Sequence, residues 1–295
     1  MAVNILVVLT ISITLNVLIA TGILPPIRGI TGLLIFCSIF GFAGSFISLA
    51  LSRVMAKMGM GVKVLDPANP GSPTAAWLVE TVHRLATAAG LPVMPEVGVY
   101  GSPEVNAFAT GPTKSRALVA VSTGLLERMD RDEVEAVLGH EMAHVANGDM
   151  VTLALVQGIV NTFVMFFARL AAMFVSSLLR GDRDREGGGG LDFVVNMVLI
   201  FVFEIAFSLL GMIAVSWFSR RREFRADEGG ARLAGRDKMI SALEALKRAS
   251  GLVDDRAPSL AAFKISGRRG GIRALFSTHP DLDVRIEALR KLTSA

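Results

Sequence analysis

Four stretches of this sequence leave little choice of architecture. Residues 3–27 and 29–52 carry no charged side chain and are separated only by Arg28; residues 151–179 carry one charge, Arg169, and residues 193–219 carry one, Glu204. A helix needs about 20 residues to cross a hydrocarbon core of about 30 Å, and each stretch exceeds that. The composition agrees: 52% of the residues are hydrophobic and only 19% are charged, which points to a membrane protein. A base of four transmembrane helices in two hairpins is expected. The first stretch has no basic residues ahead of it, is longer than a signal peptide's apolar core, and is followed at once by the second, so it reads as a retained helix. Cys37, the single cysteine, lies in the second stretch. An intramolecular disulfide and a multi-cysteine metal site are thereby excluded.

Arg169 and Glu204 each lie about ten residues from the end of their segment that faces the 180–192 loop, or about 15 Å along a helix axis. Two spans joined by a short loop run antiparallel, so these opposite charges meet at matching depth. An ion pair between the two helices is expected. The loop itself alternates charges and contains four consecutive glycines at 187–190, a flexible connection.

Between and after the hairpins the sequence changes character. Residues 66–73 form a turn-rich linker, and Ser72-Pro73 reads as an N-cap followed by proline at the first helical position, opening a helix to about Ala89. His83 falls on this helix with no partner at ligand spacing, and reads as a surface or packing residue. Residues 97–100 and 117–121 read as short strands. Asn106, Ala107 and Phe108 lie between them. By spacing alone they are ordinary loop and strand, although an extended segment beside a metal can also pair with substrate backbone as an added strand.

The chemistry concentrates in His140-Glu141-Met142-Ala143-His144. Asp130 is a good N-cap, Glu133 completes a capping-box pattern and Gly148 suits a left-handed C-terminal position, so the motif is predicted to sit on a helix. Histidines four apart share one helical face and reach a single tetrahedral metal, while Glu141 can hold and deprotonate a water at the open position. A catalytic zinc of this kind wants a third protein ligand. Glu223 is the candidate, and Asp227, four residues on, shares its face and can accept the distal N–H of a ligand histidine.

The order of these features is specific. The His140 to His144 motif, then Asn147-Gly148-Asp149, a hydrophobic hairpin, Ser219-Arg220-Arg221-Arg222-Glu223-Phe224-Arg225-Ala226-Asp227, and late Thr278-His279-Pro280 with Arg285-Ile286 together resemble the HtpX heat-shock membrane metalloproteases over essentially the whole chain. The sequence is more distantly similar to the CAAX prenyl proteases. The resemblance implies an α+β, zincin-like fold of the gluzincin kind on the four-helix base, one Zn2+ held by His140, His144 and Glu223, and Glu141 as catalytic base. It implies ATP-independent cleavage of misfolded membrane proteins, a quality-control role under stress, in the bacterial inner membrane. It also favours Asn106, Ala107 and Phe108 as a substrate-binding strand. His279 is a candidate donor to the oxyanion of the tetrahedral intermediate, or merely the start of the final helix; Arg285 is the other candidate donor.

The expected organisation is a transmembrane hairpin at 1–52, a first catalytic half at 53–150, a second hairpin at 151–219 and a second catalytic half at 220–295. For His140, His144 and Glu223 to meet, the chain between them must cross the membrane an even number of times, and two crossings satisfy this. Arg53, Lys57 and Lys63 follow the second span and Arg220, Arg221, Arg222 and Arg225 follow the fourth, which puts both halves on the cytoplasmic side; Arg180, Arg183 and Arg185 argue the other way. No nucleic-acid motif accompanies the arginines, so their expected partner is the lipid bilayer surface, and the loop at 267–271 reads as solvated. Two other functions fit the same residues. One is a restricted CAAX-type processing protease; the other is a membrane-bound binding or chaperone-like protein whose structural zinc takes Asp149 or Asp227 as a fourth ligand. Protein substrates and the lipid bilayer are the expected partners, and a homo-oligomer is compatible with the sequence.

Overall fold

In the computed structural model, residues 10, 13–14, 17–23, 29–180, 189–249 and 275–292 are described. The expected span at 3–27 and the glycine-rich connection lie largely outside them, and the loop at 267–271 lies wholly outside. Among the described residues, three helices are long and apolar enough to cross a membrane: Gly29–Met60, Asp149–Leu178 and Phe193–Ala234. The molecule is mostly helical with one small sheet, and it divides into two compact units, Met1–Ser48 with Ala154–Val215 and Leu49–Leu153 with Ser216–Ala295.

Among the described residues, the long helices that contribute to the first unit are α1 (Gly29–Met60), α5 (Asp149–Arg180) and α6 (Gly189–Ala234). Small residues let α1 and α5 approach closely: a Cβ on Gly41 would lie 2.7 Å from the Thr162 backbone nitrogen, and one on Gly158 would lie 2.6 Å from the Phe42 ring. Without a hydrophobic drive between helices in lipid, such close packing and hydrogen bonding hold helices together. The Ser45 hydroxyl donates to the Ala154 carbonyl at 2.5 Å. Arg169 and Glu204 do meet, Nη1 to Oε1 at 3.0 Å, and both are buried. Cys37 is fully buried.

The second unit carries the sheet. Its strands are β1 (Lys63–Val64), β2 (Glu96–Tyr100), β3 (Ala107–Thr110) and β4 (Leu118–Ser122) in the order β1-β2-β4-β3. The β2–β4 pair is parallel and the other two pairs are antiparallel. All five β4 residues are buried, the mark of a strand covered on both faces. Val119 and Val121 belong to the main core, whereas Leu118 and Ala120 face a smaller cluster with Ala56, Val62, Tyr100 and Phe108. β4 opens one residue later than the sequence suggested, at Leu118, and is followed by the short helix α3 (Thr123–Arg128).

Helix α2 (Pro73–Ala88) starts as its sequence dictates: the Ser72 hydroxyl accepts from the Ala75 N–H and Pro73 occupies the first turn. Its buried face, including Leu78, Val82 and Leu85, joins the main core; His83, half-buried, lies off that face. Helix α4 (Arg131–Asn147) carries the capping box in full, with the Glu133 N–H donating to Asp130 Oδ1 at 2.8 Å and the Asp130 N–H donating to Glu133 Oε2 at 3.1 Å. Gly148 adopts φ 70° and closes the helix. Lys114 adds a hydrogen bond to the Ala146 carbonyl, placing a cation at the negative end of the helix dipole.

Helix α6 departs most from expectation. Its apolar pattern stops at 219, yet it continues unbroken to Ala234 and carries Glu223 and Asp227 on the same helix. Nothing in 220–234 breaks a helix: Gly229 and Gly230 are tolerated inside it, and the turn comes at Gly235, with φ 107°. The two inner glycines have a packing reason. A Cβ on Gly230 would lie 2.9 Å from the His140 backbone nitrogen, and one on Gly229 would lie 2.6 Å from the Ala143 Cβ. These glycines let α6 lie directly against the histidine-bearing face of α4. Helices α7 (Arg236–Ala249) and α8 (Leu282–Lys291) complete the core with Met239, Leu243, Leu246, Ile286 and Leu289.

Candidate metal centre

The approach of α6 to α4 brings three donors together. His140 Nε2 and His144 Nε2 lie 3.1 Å apart. Glu223 Oε2 is 3.6 Å from His140 Nε2, and Oε1 is 3.3 Å from His144 Nε2. A tetrahedral zinc with bonds of about 2.0–2.1 Å separates its ligand atoms by about 3.3–3.4 Å, so these spacings fit one ion. The donor chemistry fits too. Each Nδ1 faces a carboxylate, His140 with Asp227 Oδ1 at 2.9 Å and His144 with Asp149 Oδ2 at 2.6 Å. Those carboxylates assign the ring protons to Nδ1, which leaves both Nε2 lone pairs pointed at each other and at an anionic carboxylate. One cation satisfies all three.

Charge fills the surroundings. Arg285 is 1% exposed and grips Asp227 through two bonds, Nε to Oδ2 at 2.8 Å and Nη2 to Oδ1 at 2.5 Å. Its Nη1 is 3.3 Å from Glu223 Oε2. Burial works against its charge, but Asp227 outweighs this and holds the guanidinium protonated beyond its ordinary range. Burial likewise lowers the proton affinity of His140, and hydrogen bonds to Asp227 and Glu223 reverse that, so its pKa is raised.

Glu141 is buried on the neighbouring face of α4 and receives a hydrogen bond from the Ala109 backbone of β3. Burial lifts its carboxyl above the ordinary range, with His140 and His144 pulling the other way. β3 is an edge strand of the sheet. Asn106 stands just outside it and is fully engaged: its N–H donates to Ser122 Oγ at 3.1 Å, its carbonyl accepts from the Ser122 N–H at 2.9 Å, and its side-chain amide donates to the buried Tyr100 hydroxyl at 2.8 Å. Ala107 and Phe108 are buried within the strand. His279 lies in the site, with Nδ1 2.7 Å from Glu223 Oε2.

The structure thus brings together His140, Glu141, His144, Glu223, Asp227, His279 and Arg285. Two further residues join the site without having been expected to support a ligand histidine: Asp149, behind His144, and Arg222, whose guanidinium Nη2 is 3.1 Å from Asp149 Oδ2. Asp149 carried a usable signal: it opens α5 directly after the left-handed Gly148, one turn beyond His144. Arg222 carried none beyond adjacency to Glu223.

Residues 72–293 match the sequence profile of peptidase family M48. The chain belongs to that family. This M48 chain is 54% identical over 283 residues to Protease HtpX of Xanthomonas axonopodis pv. citri, covering 94% of each sequence. It is 52% identical over 296 residues to the Protease HtpX homolog of Bacillus licheniformis, covering 97% of this chain and 95% of that one, and equally identical to Protease HtpX of Thioalkalivibrio sulfidiphilus, covering 99% and 97%. Its fold is similar to the crystal structure of S. mikatae Ste24p, with a TM-score of 0.58 at 16% identity over 87% of this chain, which spans 58% of that longer one. Family membership makes the chain a metalloprotease with a metal-binding site, and its long apolar helices make it a membrane-associated one.

Proposed function

We propose that this M48 peptidase is a zinc-dependent endopeptidase of the HtpX type, with a gluzincin-like domain on a four-helix base in the bacterial inner membrane. Its catalytic halves, 53–150 and 220–295, face the cytoplasm, and its substrates are misfolded membrane proteins cleared in quality control. The observation that carries this reading is the convergence of two imidazole Nε2 atoms and the Glu223 carboxylate within 3.6 Å, beside the buried Glu141, which lies outside that donor group. His140, His144 and Glu223 hold one Zn2+, and Asp227 supports His140 from behind.

When bound, the ion polarises the scissile carbonyl and acidifies the attacking water. Glu141 takes the proton from that water and returns it to the leaving amine. Its raised proton affinity suits both transfers, since a base that is too weak cannot collect the proton. Ala107 and Phe108 lie on an edge strand that can pair with an extended peptide through backbone hydrogen bonds, which gives affinity with little side-chain preference; Asn106 anchors the end of that strand. His279 holds Glu223 through Nδ1 and is the candidate donor to the developing oxyanion, a role that requires the imidazolium form, in which both ring nitrogens donate. A closed structural site would need Asp149 or Asp227 as fourth ligand. Both face Nδ1 atoms, on the far side of the imidazoles from the convergent donors.

The test is cleavage by the detergent-purified, zinc-loaded chain of casein, of an unfolded membrane protein and of a prenylated CAAX peptide, beside Glu141→Gln matched for zinc content. The expected result is cleavage of the first two by the wild type and a loss of at least about a hundredfold in kcat for the variant. His279→Ala should lower kcat with zinc retained; unchanged turnover removes His279 from the mechanism. Cleavage of the CAAX peptide alone would move the chain to the processing class, and no cleavage of any substrate by the zinc-loaded wild type would leave a structural zinc.

A further inference from the structure

Each candidate ligand histidine stands at the end of a chain of two further charged groups. In one, His140 of α4 meets Asp227 of α6, and Asp227 meets Arg285 of α8. In the other, His144 of α4 meets Asp149 of α5, and Asp149 meets Arg222 of α6. The two chains share no residue, yet both run imidazole, aspartate, guanidinium. They draw on four helices, so the repetition does not follow from one local motif.

The arginines solve two problems that the aspartates create. A buried carboxylate carries a desolvation penalty that a single neutral imidazole does not offset, and a guanidinium beside it does. A carboxylate with a free oxygen near a divalent ion is also a ready ligand, and its entry would close the open coordination position that hydrolysis needs. Arg285 occupies both oxygens of Asp227, and Arg222 shares Asp149 Oδ2 with His144. Arg285 does more, since its Nη1 reaches within 3.3 Å of Glu223 Oε2 and has no hydrogen-bond partner among the described residues. One guanidinium therefore touches the support of one ligand, His140, and a second ligand, Glu223, directly. Four carboxylates crowd this site, Glu141, Asp149, Glu223 and Asp227, and the two arginines leave a net charge of about minus two when all four are ionised, the complement of one divalent cation.

We propose that Arg222 and Arg285 are positioning residues of the metal centre: each locks the aspartate that orients one ligand histidine and keeps that aspartate out of the metal's coordination shell. The proposal rests on the assignment of the metal to His140, His144 and Glu223. The two arginines differ in strength. Arg285 is fully buried and bidentate, whereas Arg222 keeps 12% of its side chain exposed, makes one ion pair to Asp149 and lies over the Phe218 ring. Lysine preserves the charge but not the planar fork, so Arg285→Lys separates geometry from charge.

The experiment uses the full chain in detergent and compares wild type, Arg222→Gln, Arg222→Lys and Arg285→Lys. Zinc affinity is measured by competition with a chromophoric chelator, and the cobalt-substituted forms are compared by visible absorption, which reads ligand number and symmetry directly. Arg222→Gln should weaken zinc binding about 10- to 100-fold and shift the cobalt bands toward higher coordination as Asp149 is released; Arg222→Lys should recover part of both. Arg285→Lys should lose at least as much affinity. If Arg285→Lys does not fold, the Arg222 pair decides the matter, because that side chain is the less buried of the two. Folded variants with wild-type zinc affinity and unchanged cobalt spectra, whatever their melting temperatures, would overturn the proposal. A wild-type chain that binds no zinc would overturn the metal assignment beneath it instead.

Discussion

Glu141, His140 and Arg285 are all buried, and each has its proton affinity raised, yet the causes differ: for Glu141 it is burial itself, for the other two it is carboxylate neighbours that outweigh burial. Tyr100, at the end of β2, is also pushed up by burial, and its hydroxyl accepts from the Asn106 side chain. Outside the site, Glu135 on α4 shows the opposite case. Burial raises its pKa, but hydrogen bonds from Lys238 and Arg84 outweigh this and bring it below the ordinary range. A carboxylate with a depressed folded-state pKa stabilises the fold above its unfolded value of about 4.3 and loses that contribution as pH falls through the folded value. Arg84 is more than half exposed, which limits the effect to below about 1 kcal/mol. Glu135→Gln should therefore unfold more easily than wild type at pH 7 by up to about 1 kcal/mol, and the gap should close by pH 3. Thermal unfolding at the two pH values checks this; an equal gap at both would show that packing, not charge, is at stake. At this scale the sequence is most legible where geometry is local. The His140 and His144 pair, and Asp227 four residues after Glu223, follow from helical period alone. Arg222 on Asp149 and Arg285 on Asp227 depend on which helices become neighbours, and no spacing encodes that.

Among the elements, helix ends were legible and helix lengths were not. Ser72, Asp130 and Gly148 cap where they should because capping is chemistry within a few residues. Helix α6 runs on to Ala234 because hydropathy marks where the apolar stretch ends, not where hydrogen bonding does. The strands were readable as short apolar runs, but the β1-β2-β4-β3 order, with β3 at an edge, is a long-range result. The contact between Arg169 and Glu204 was readable from depth alone, since two antiparallel spans fix the register. Removing one partner strands a buried charge, which typically costs about 3–5 kcal/mol, while removing both is often close to neutral. Arg169→Leu should accordingly lower the melting temperature of the detergent-solubilised chain sharply, and Arg169→Leu combined with Glu204→Leu should recover most of the loss. A double variant as unstable as the sum of the singles would mean that the two charges act separately.

For the molecule as a whole, the chain divides into two compact units, and the second holds every donor of the candidate centre. The halves of that unit, Leu49–Leu153 and Ser216–Ala295, are separated in sequence by the stretch that contains Arg169 and Glu204. This interruption is why the site cannot be read as one contiguous motif: the third donor, Glu223, comes 79 residues after His144. What the sequence does supply is a donor set, and what the fold supplies is its convergence at about the edge length of a tetrahedron. The central claim is that this convergence holds one catalytic ion. X-ray absorption at the zinc edge, with metal analysis of the purified full chain, tests it most directly. One zinc per chain is expected, bound by two imidazoles and by carboxylate or water oxygen, with loss of the ion in His144→Ala. Zinc retained in full by His144→Ala, or a wild-type zinc without imidazole ligands, would contradict the claim.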